Sequence, residues 1–110
     1  MLLPNNQNAY IDTNKIVSYC LNPDHIVGRH KAYVFESILG LTRENYYILE
    51  DAIYNAVSKY DAIFPEKTQF GKHYIVDFPI EYNHKKAIIR TGWIIKNNED
   101  FPRLTTCYIK

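Results

Sequence analysis

A group of polar residues that could bind a phosphate and move a proton lies between His25 and Lys31. It stands at the start of a predicted helix, where unpaired backbone N–H groups and the positive end of the helix dipole favour an anion. Arg29, His30 and Lys31 add three donors, and histidine both gives and takes protons near neutral pH. A bound phosphate and a proton carrier are what RNA cleavage by 2′-hydroxyl attack requires. The alternative is a solvated helix start with an ordinary basic surface.

A second group lies on a predicted strand and contains Arg90, Thr91 and Trp93. Thr91 and Trp93 are two residues apart, so they share one face of the sheet, whereas Arg90 points the other way or lies at a strand edge. A threonine hydroxyl can bond a phosphate oxygen, and a tryptophan ring can stack on a base. The alternative is that Trp93 is the main core aromatic residue and Thr91 only a strand former.

The last predicted strand could extend this polar surface. Thr106 and Tyr108 share a face, and Arg103 precedes them. Because threonine and tyrosine are also common strand residues, a purely structural role is equally open. Asp77 lies in the middle of another strand, where its carboxylate could orient a base or pair with Arg90, and a buried ion pair serves structure equally well.

Metal, cofactor and nucleophile motifs are lacking. His25 and His30 are five residues apart, which differs from the i, i+4 spacing of a zinc-binding helix, and no carboxylate cluster accompanies them. We therefore expect no metal and no cofactor. Cys20 and Cys107 are far apart in sequence, which indicates two reduced, partly buried thiols in a cytoplasmic protein.

Length and charge bound the choice of function. The chain has 110 residues, the usual size of one domain, so we expect a single domain over residues 1–110. Its hydrophobic content of 46% supports a core, and no apolar run is long enough for a membrane span. The net charge of +1 is far below that of a domain that binds nucleic acid through its global field. Any RNA binding must therefore use a local patch.

The elements that would position these residues are helices followed by strands. Capping side chains at Asp12-Thr13, apolar residues from Ile16 to Leu21 and a stop at Asn22-Pro23 predict a short first helix. Apolar residues at helical spacing predict two more helices, at about residues 29–39 and 43–59. Alternating residues and short polar turns predict strands at about residues 62–69, 73–80, 86–95 and 104–109. Pro65 would place the first strand at an edge. The sequence thus predicts an α+β domain, in which three N-terminal helices pack on one face of a C-terminal four-strand antiparallel meander.

Ten short segments spread along the chain form a recognisable pattern, at residues 3–5, 9–11, 19–23, 25, 28–32, 35–37, 39–40, 76–79, 90–93 and 102–104. Through these segments the chain resembles an uncharacterised family of small bacterial domains over nearly its whole length. Members of that family are similar to the products of stand-alone genes beside small antitoxin-like genes, or to toxin tails of larger proteins.

The order of helices and sheet is also similar to a toxin ribonuclease superfamily that includes barnase, EndoU, the colicin nucleases and RelE. Its colicin D type of tRNA nuclease uses a Lys/His cluster in the helical part and a Ser-x-Trp pair on a strand. The resemblance implies that residues 29–31 correspond to the cluster, with His30 as the acid and base. Thr91-Gly92-Trp93 would correspond to the strand pair, with threonine in place of serine.

Two hypotheses follow. The first is a metal-independent endoribonuclease, a toxin that cleaves RNA such as tRNA and is held by a cognate antitoxin or immunity protein. Its catalytic residues would be His30, Lys31, Arg90, Thr91 and Tyr108. Its substrate-binding residues would be His25, Arg29, Trp93, Arg103 and Thr106. The second is a non-catalytic module that binds the product of a neighbouring gene, since tyrosine is enriched in interfaces. The first requires His30 and the strand residues to converge on one open surface.

Overall fold

The structure is a computed structural model that describes the backbone of residues 1–110 and every side chain except that of Pro65. The Pro65 ring therefore lies outside the described side chains, whereas the predicted edge position of the first strand is confirmed by the order of the strands in the sheet. Among the described residues, no helix combines the length and the apolar character that crossing a membrane would need.

The helices occupy the first half of the chain. Helix α1 (Thr13–Lys15) continues as a π-helical segment (Ile16–Cys20), and α2 spans Arg29–Leu39. A 3-10 turn (Arg43–Asn45) then leads into α3 (Tyr46–Ala56). The predicted bounds of α2 are confirmed. The first helix begins directly after Asp12, one of its two predicted capping residues. The predicted third helix is divided into a 3-10 turn and a shorter α-helix.

Local sequence explains where these helices begin and end. The side chain of Asp12 accepts a hydrogen bond from the backbone N–H of Asn14 at 3.0 Å, which caps α1. Gly40 ends α2 in the left-handed conformation at φ 72°, which glycine adopts without a steric penalty. The N–H of Thr42 donates to the Asn45 side chain at 2.7 Å as part of a capping box before α3.

The sheet is an antiparallel meander in the order β1-β2-β3-β4. Its strands are β1 (Ala62–Thr68), β2 (Gly71–Tyr82), β3 (Lys85–Lys96) and β4 (Arg103–Ile109). The prediction of four strands is incomplete, because Tyr10 adds a fifth, one-residue strand beside β4. Its N–H donates to the Pro102 carbonyl at 2.8 Å, and its carbonyl accepts from the Leu104 N–H at 3.0 Å.

One hydrophobic core joins the helices to the sheet face that we call the inner face. Phe35 and Leu39 of α2 and Leu49 and Ile53 of α3 contribute fully buried side chains. The sheet supplies alternate residues of β2 and β3, which are Tyr74, Val76, Phe78, Ile80, Ile89 and Trp93. The residues between them lie on the opposite, outer face, where most side chains of β2 and β3 are half-buried or exposed.

Candidate active site at the edge of the sheet

The three residues of the predicted Arg-His-Lys group do not lie on one side of α2. Ala32, Phe35 and Leu39 are buried and define the side of α2 that faces the sheet. An α-helix turns by about 100° per residue, which places His30 on nearly the opposite side, where it is exposed. The prediction that His30 converges with the strand residues is therefore wrong, because this side chain points away from the sheet. Arg29 is exposed as well.

Lys31, by contrast, lies on the flank of α2 that adjoins β4. It is half-buried, and its Nζ lies 4.5 Å from the centroid of the Tyr108 ring. An ammonium group at this distance is attracted to the electron-rich face of the ring. The contact joins one predicted catalytic residue of the helical half to another of the last strand.

Tyr108 in turn belongs to a row of polar residues on the outer face. The strand register places Asp77 opposite Arg90, and Arg90 opposite Tyr108. The Arg90 guanidinium donates two hydrogen bonds to Asp77, from Nε to Oδ1 and from Nη2 to Oδ2, both at 2.9 Å. Lys110 donates to the same Oδ2 at 3.2 Å. We call the group formed by Lys31, Asp77, Arg90, Tyr108 and Lys110 the β4-edge cluster.

The charges of this cluster fix the ionisation of its carboxylate. The hydrogen bond from Arg90 lowers the pKa of Asp77, against a smaller opposing effect of burial, and Lys110 lowers it further. The same pair raises the pKa of Arg90, with a smaller contribution from Tyr108. Asp77 is therefore ionised near neutral pH. The cluster holds three cationic side chains, two of them on Asp77 and Lys31 on the Tyr108 ring, against one carboxylate side chain, so it keeps a positive excess that would attract an anion.

Thr91 and Trp93 share a face as predicted, but it is the inner face. Their side chains are 0% and 1% exposed. The Trp93 Nε1–H donates to Thr91 Oγ1 at 2.8 Å, and that hydroxyl donates to the Val76 carbonyl at 2.7 Å. Phosphate binding by Thr91 and base stacking by Trp93 are therefore wrong predictions, because the core encloses both side chains and their polar atoms are already paired.

His25 and Arg103 hold local structure at a distance from the cluster. His25 Nδ1 accepts hydrogen bonds from the N–H groups of Val27 and Gly28, both at 3.1 Å, and so orders the turn before α2. Arg103 donates two hydrogen bonds of 2.7 Å to Glu99. Its guanidinium also lies 5.1 Å from the centroid of the Tyr10 ring. Arg103 thus ties the fifth strand to the sheet, and neither residue joins the β4-edge cluster.

Thr106 lies on the outer face opposite Gly92, next to the cluster. Its Oγ1 is buried and has no hydrogen-bond partner among the described residues, so the predicted substrate contact would need the surface to open.

Asp77 pairs with Arg90, which is one of the two roles that the sequence suggested for it, so that possibility is confirmed. Lys110 also belongs to the site, although it was not among the predicted residues. Nothing in the sequence signals the contact of Lys110.

The arrangement can bind and stabilise a negatively charged group. Lys31, Arg90 and Lys110 supply cationic donors, and Tyr108 supplies a hydroxyl on the ring that Lys31 contacts, directly opposite Arg90 in the sheet. Among the side chains that the structure describes, no three His, Cys, Asp or Glu residues come together as metal ligands. Cys20 and Cys107 are free thiols, and both are fully buried.

Fold and site together define a small α+β domain with a cationic and aromatic cluster at the open edge of its sheet. The chain belongs to the family described as "Domain of unknown function (DUF6883)", which matches residues 2–110. The predicted resemblance to an uncharacterised domain family is thereby confirmed. Comparisons with curated proteins and with solved structures give no significant match.

Proposed function

We propose that the protein is a metal-independent endoribonuclease whose active site is the β4-edge cluster. The observation that carries this proposal is the approach of Lys31 to Tyr108 beside Arg90, which unites three of the five predicted catalytic residues. The resemblance to toxin ribonucleases in the order of helices and sheet supports the same class of reaction. A toxin role with a cognate antitoxin or immunity protein is part of the proposal.

The cluster suits the charge that develops during RNA cleavage. Attack of the 2′-oxygen forms a bond to phosphorus and breaks the bond to the 5′-oxygen. A proton leaves the 2′-hydroxyl, and one reaches the leaving 5′-oxygen. Asp77 occupies only two of the five guanidinium N–H donors of Arg90. The remaining donors and the Lys31 ammonium can stabilise the extra negative charge on the phosphoryl oxygens.

Proton transfer then falls to Tyr108 and Lys31 rather than to His30. Tyrosine and lysine both act as general acids or bases in enzymes. The Tyr108 hydroxyl is carried by the ring that Lys31 contacts, on the strand beside Arg90. Asp77 would act as a positioning residue, since its two hydrogen bonds fix the plane of the Arg90 guanidinium.

Cleavage of tRNA or total RNA in EDTA tests this proposal. We expect wild-type protein to leave 2′,3′-cyclic phosphate and 5′-hydroxyl ends. Lys31→Ala and Tyr108→Phe should each lower the initial rate by roughly 10²- to 10³-fold, because each removes a donor that stabilises the transition state or moves a proton. His30→Ala is the matched control from the same helical turn and should cleave within about threefold of the wild-type rate. Intact RNA with wild-type protein, or loss of cleavage in His30→Ala, would contradict the proposal.

A second candidate, a protein-binding module, is favoured by the outer side of α2. Val34 and Ile38 lie one helical turn apart and are 38% and 44% exposed, and Ile26 and Val27 before the helix are 85% and 67% exposed. Neighbouring exposed apolar residues are typical of interaction sites. This surface differs from the sheet face that the sequence suggested, since the core encloses Trp93.

Substitution on this side of α2 tests the second candidate. The protein is co-expressed with the product of a neighbouring gene, and the two are expected to purify together. Ile38→Asp should abolish this co-purification, because it would bury an unpaired charge in the interface. Ile88→Asp is the control, since Ile88 is 43% exposed and lies on the outer face of the sheet, opposite the face on which the helices pack. Equal effects of the two substitutions would rule out α2 as the docking surface.

A further inference from the structure

Three lysines line a cleft at the end of the sheet opposite the β4-edge cluster. The cleft has a volume of about 360 Å³ and contains Lys67, Lys72 and Lys96 around Tyr74 and Ile95. Lys67 and Lys72 are direct cross-strand partners on β1 and β2. Lys96, next to Ile95, pairs with Gly71 on the other side of β2. Three lysine side chains, one from each of β1, β2 and β3, therefore lie close together near the β1–β2 turn.

These three charges are only partly compensated within the described side chains. None of the three lysines makes an ion pair there. Glu99 lines the cleft, and its pKa is lowered chiefly by the hydrogen bonds from Arg103 and to a smaller extent by the charge of Lys96, so it offsets Lys96 only in part. Like charges directly opposite each other on neighbouring strands destabilise a sheet. An anion in the cleft would remove that repulsion.

An exposed aromatic ring stands beside the cations. Phe64 is 48% exposed, and its ring centroid lies 5.1 Å from that of Tyr74, which lines the cleft. A folded domain gains little by leaving a phenylalanine half in water. Lysines that contact phosphates, next to a ring on which a base can stack, are the combination by which proteins hold single-stranded nucleic acid.

We propose that the cleft formed by Lys67, Lys72 and Lys96, with Phe64 beside it, binds single-stranded nucleic acid. The lysines contact successive phosphates and Phe64 stacks on an unpaired base. The cleft is separate from the β4-edge cluster, and its binding of nucleic acid does not depend on whether the protein cleaves RNA. If cleavage occurs as well, the cleft is a second contact for the same strand.

Fluorescence anisotropy with a labelled oligomer of about 12 deoxyuridines tests the cleft. This probe has no 2′-hydroxyl and cannot be cleaved by 2′-attack, so its binding is independent of the proposed activity. We expect affinity to fall as salt rises from about 50 to about 200 mM. In Lys67→Gln/Lys72→Gln the slope of log affinity against log salt should shrink by about 1.4, which is roughly 0.7 for each lost phosphate contact on a single strand.

The double variant Lys85→Gln/Lys86→Gln is the matched control. It removes the same charge from two exposed lysines at the other end of the β2–β3 hairpin, so its salt slope should equal that of wild type. Phe64→Ala should weaken binding by between roughly 5-fold and 150-fold, as expected for the loss of one stacked base. A uridine oligomer of the same length measures any preference for RNA.

Three outcomes would overturn the inference. The first is no binding of the oligomer by wild-type protein. The second is an equal loss in the two lysine double variants, which would indicate a diffuse basic surface. The third is tight binding of inorganic pyrophosphate with no gain from the oligomer, which would indicate an isolated phosphate site. Thermal unfolding separates misfolding from lost contacts, since Lys67→Gln/Lys72→Gln removes a like-charge pair and should melt no lower than wild type.

Discussion

Replacement of Trp93 by alanine is expected to lower the free energy of unfolding by about 3–5 kcal/mol, the usual cost of emptying a buried aromatic site. Trp93 is 1% exposed and is among the largest fully buried side chains of the chain. Its indole N–H is paired with Thr91, and Thr91 with the Val76 carbonyl. Urea unfolding followed by circular dichroism measures the change. A base-stacking Trp93 on an open surface would instead be nearly neutral for stability.

The contribution of the hydrogen bonds from Trp93 to Thr91 and from Thr91 to Val76 can be measured separately from the packing of the indole ring. Thr91→Val keeps the side-chain shape but leaves the indole N–H buried without an acceptor, which should cost about 1–3 kcal/mol. Thr106→Val makes the same chemical change on the neighbouring strand, where the hydroxyl has no described partner, and it should be neutral or stabilising. A coupling energy of about 0.5 kcal/mol or more between Thr91→Val and Trp93→Phe is expected. If the two threonine substitutions lowered the free energy of unfolding equally, the Thr91 hydrogen bonds would not contribute to stability as expected.

The error over Trp93 shows what strand alternation can and cannot predict. Spacing by two correctly placed Thr91 and Trp93 on one face. It could not tell which face is covered, because β3 carries isoleucines on both, with Ile89 inward and Ile88 outward. The choice depends on where the helices pack, and that is a tertiary fact. The buried positions Ala32, Phe35 and Leu39, by contrast, already determined that His30 points outward, since their helical spacing can be read from the sequence.

Other parts of the fold were beyond local sequence signals. The fifth strand is a single residue, Tyr10, held by two backbone hydrogen bonds to a segment more than ninety positions away. No periodicity marks a strand of one residue. The contact of Lys31 with Tyr108 likewise joins a helix start to a strand end. The bounds of α2 and the order of the meander were predictable, because capping residues, helical spacing and polar turns are local features.

Gly71→Ala is expected to lower the free energy of unfolding by at least about 3 kcal/mol, since it combines backbone strain with overpacking. Gly71 adopts φ 151°, and an added Cβ would overlap the Ile95 carbonyl oxygen and lie 2.9 Å from the Lys96 Cα. Gly40→Ala is the matched control, because Gly40 also has a positive φ, of 72°, but open space around it. Its cost should stay near 1 kcal/mol. Equal losses of unfolding free energy in the two variants would show that β3 can move aside to make room for a Cβ at position 71.

The absence of a Cβ at Gly71 is also what allows β3 to approach the β1–β2 turn so closely. That approach brings Lys96 to the same cleft as Lys67 and Lys72. At a temperature where Gly71→Ala is still folded, we therefore expect it to bind the deoxyuridine oligomer more weakly than wild type, while Gly40→Ala binds equally. If folded Gly71→Ala binds the oligomer as tightly as wild type, Lys96 does not contribute to binding. The cross-strand pair Lys67–Lys72 would then supply the contacts with phosphate.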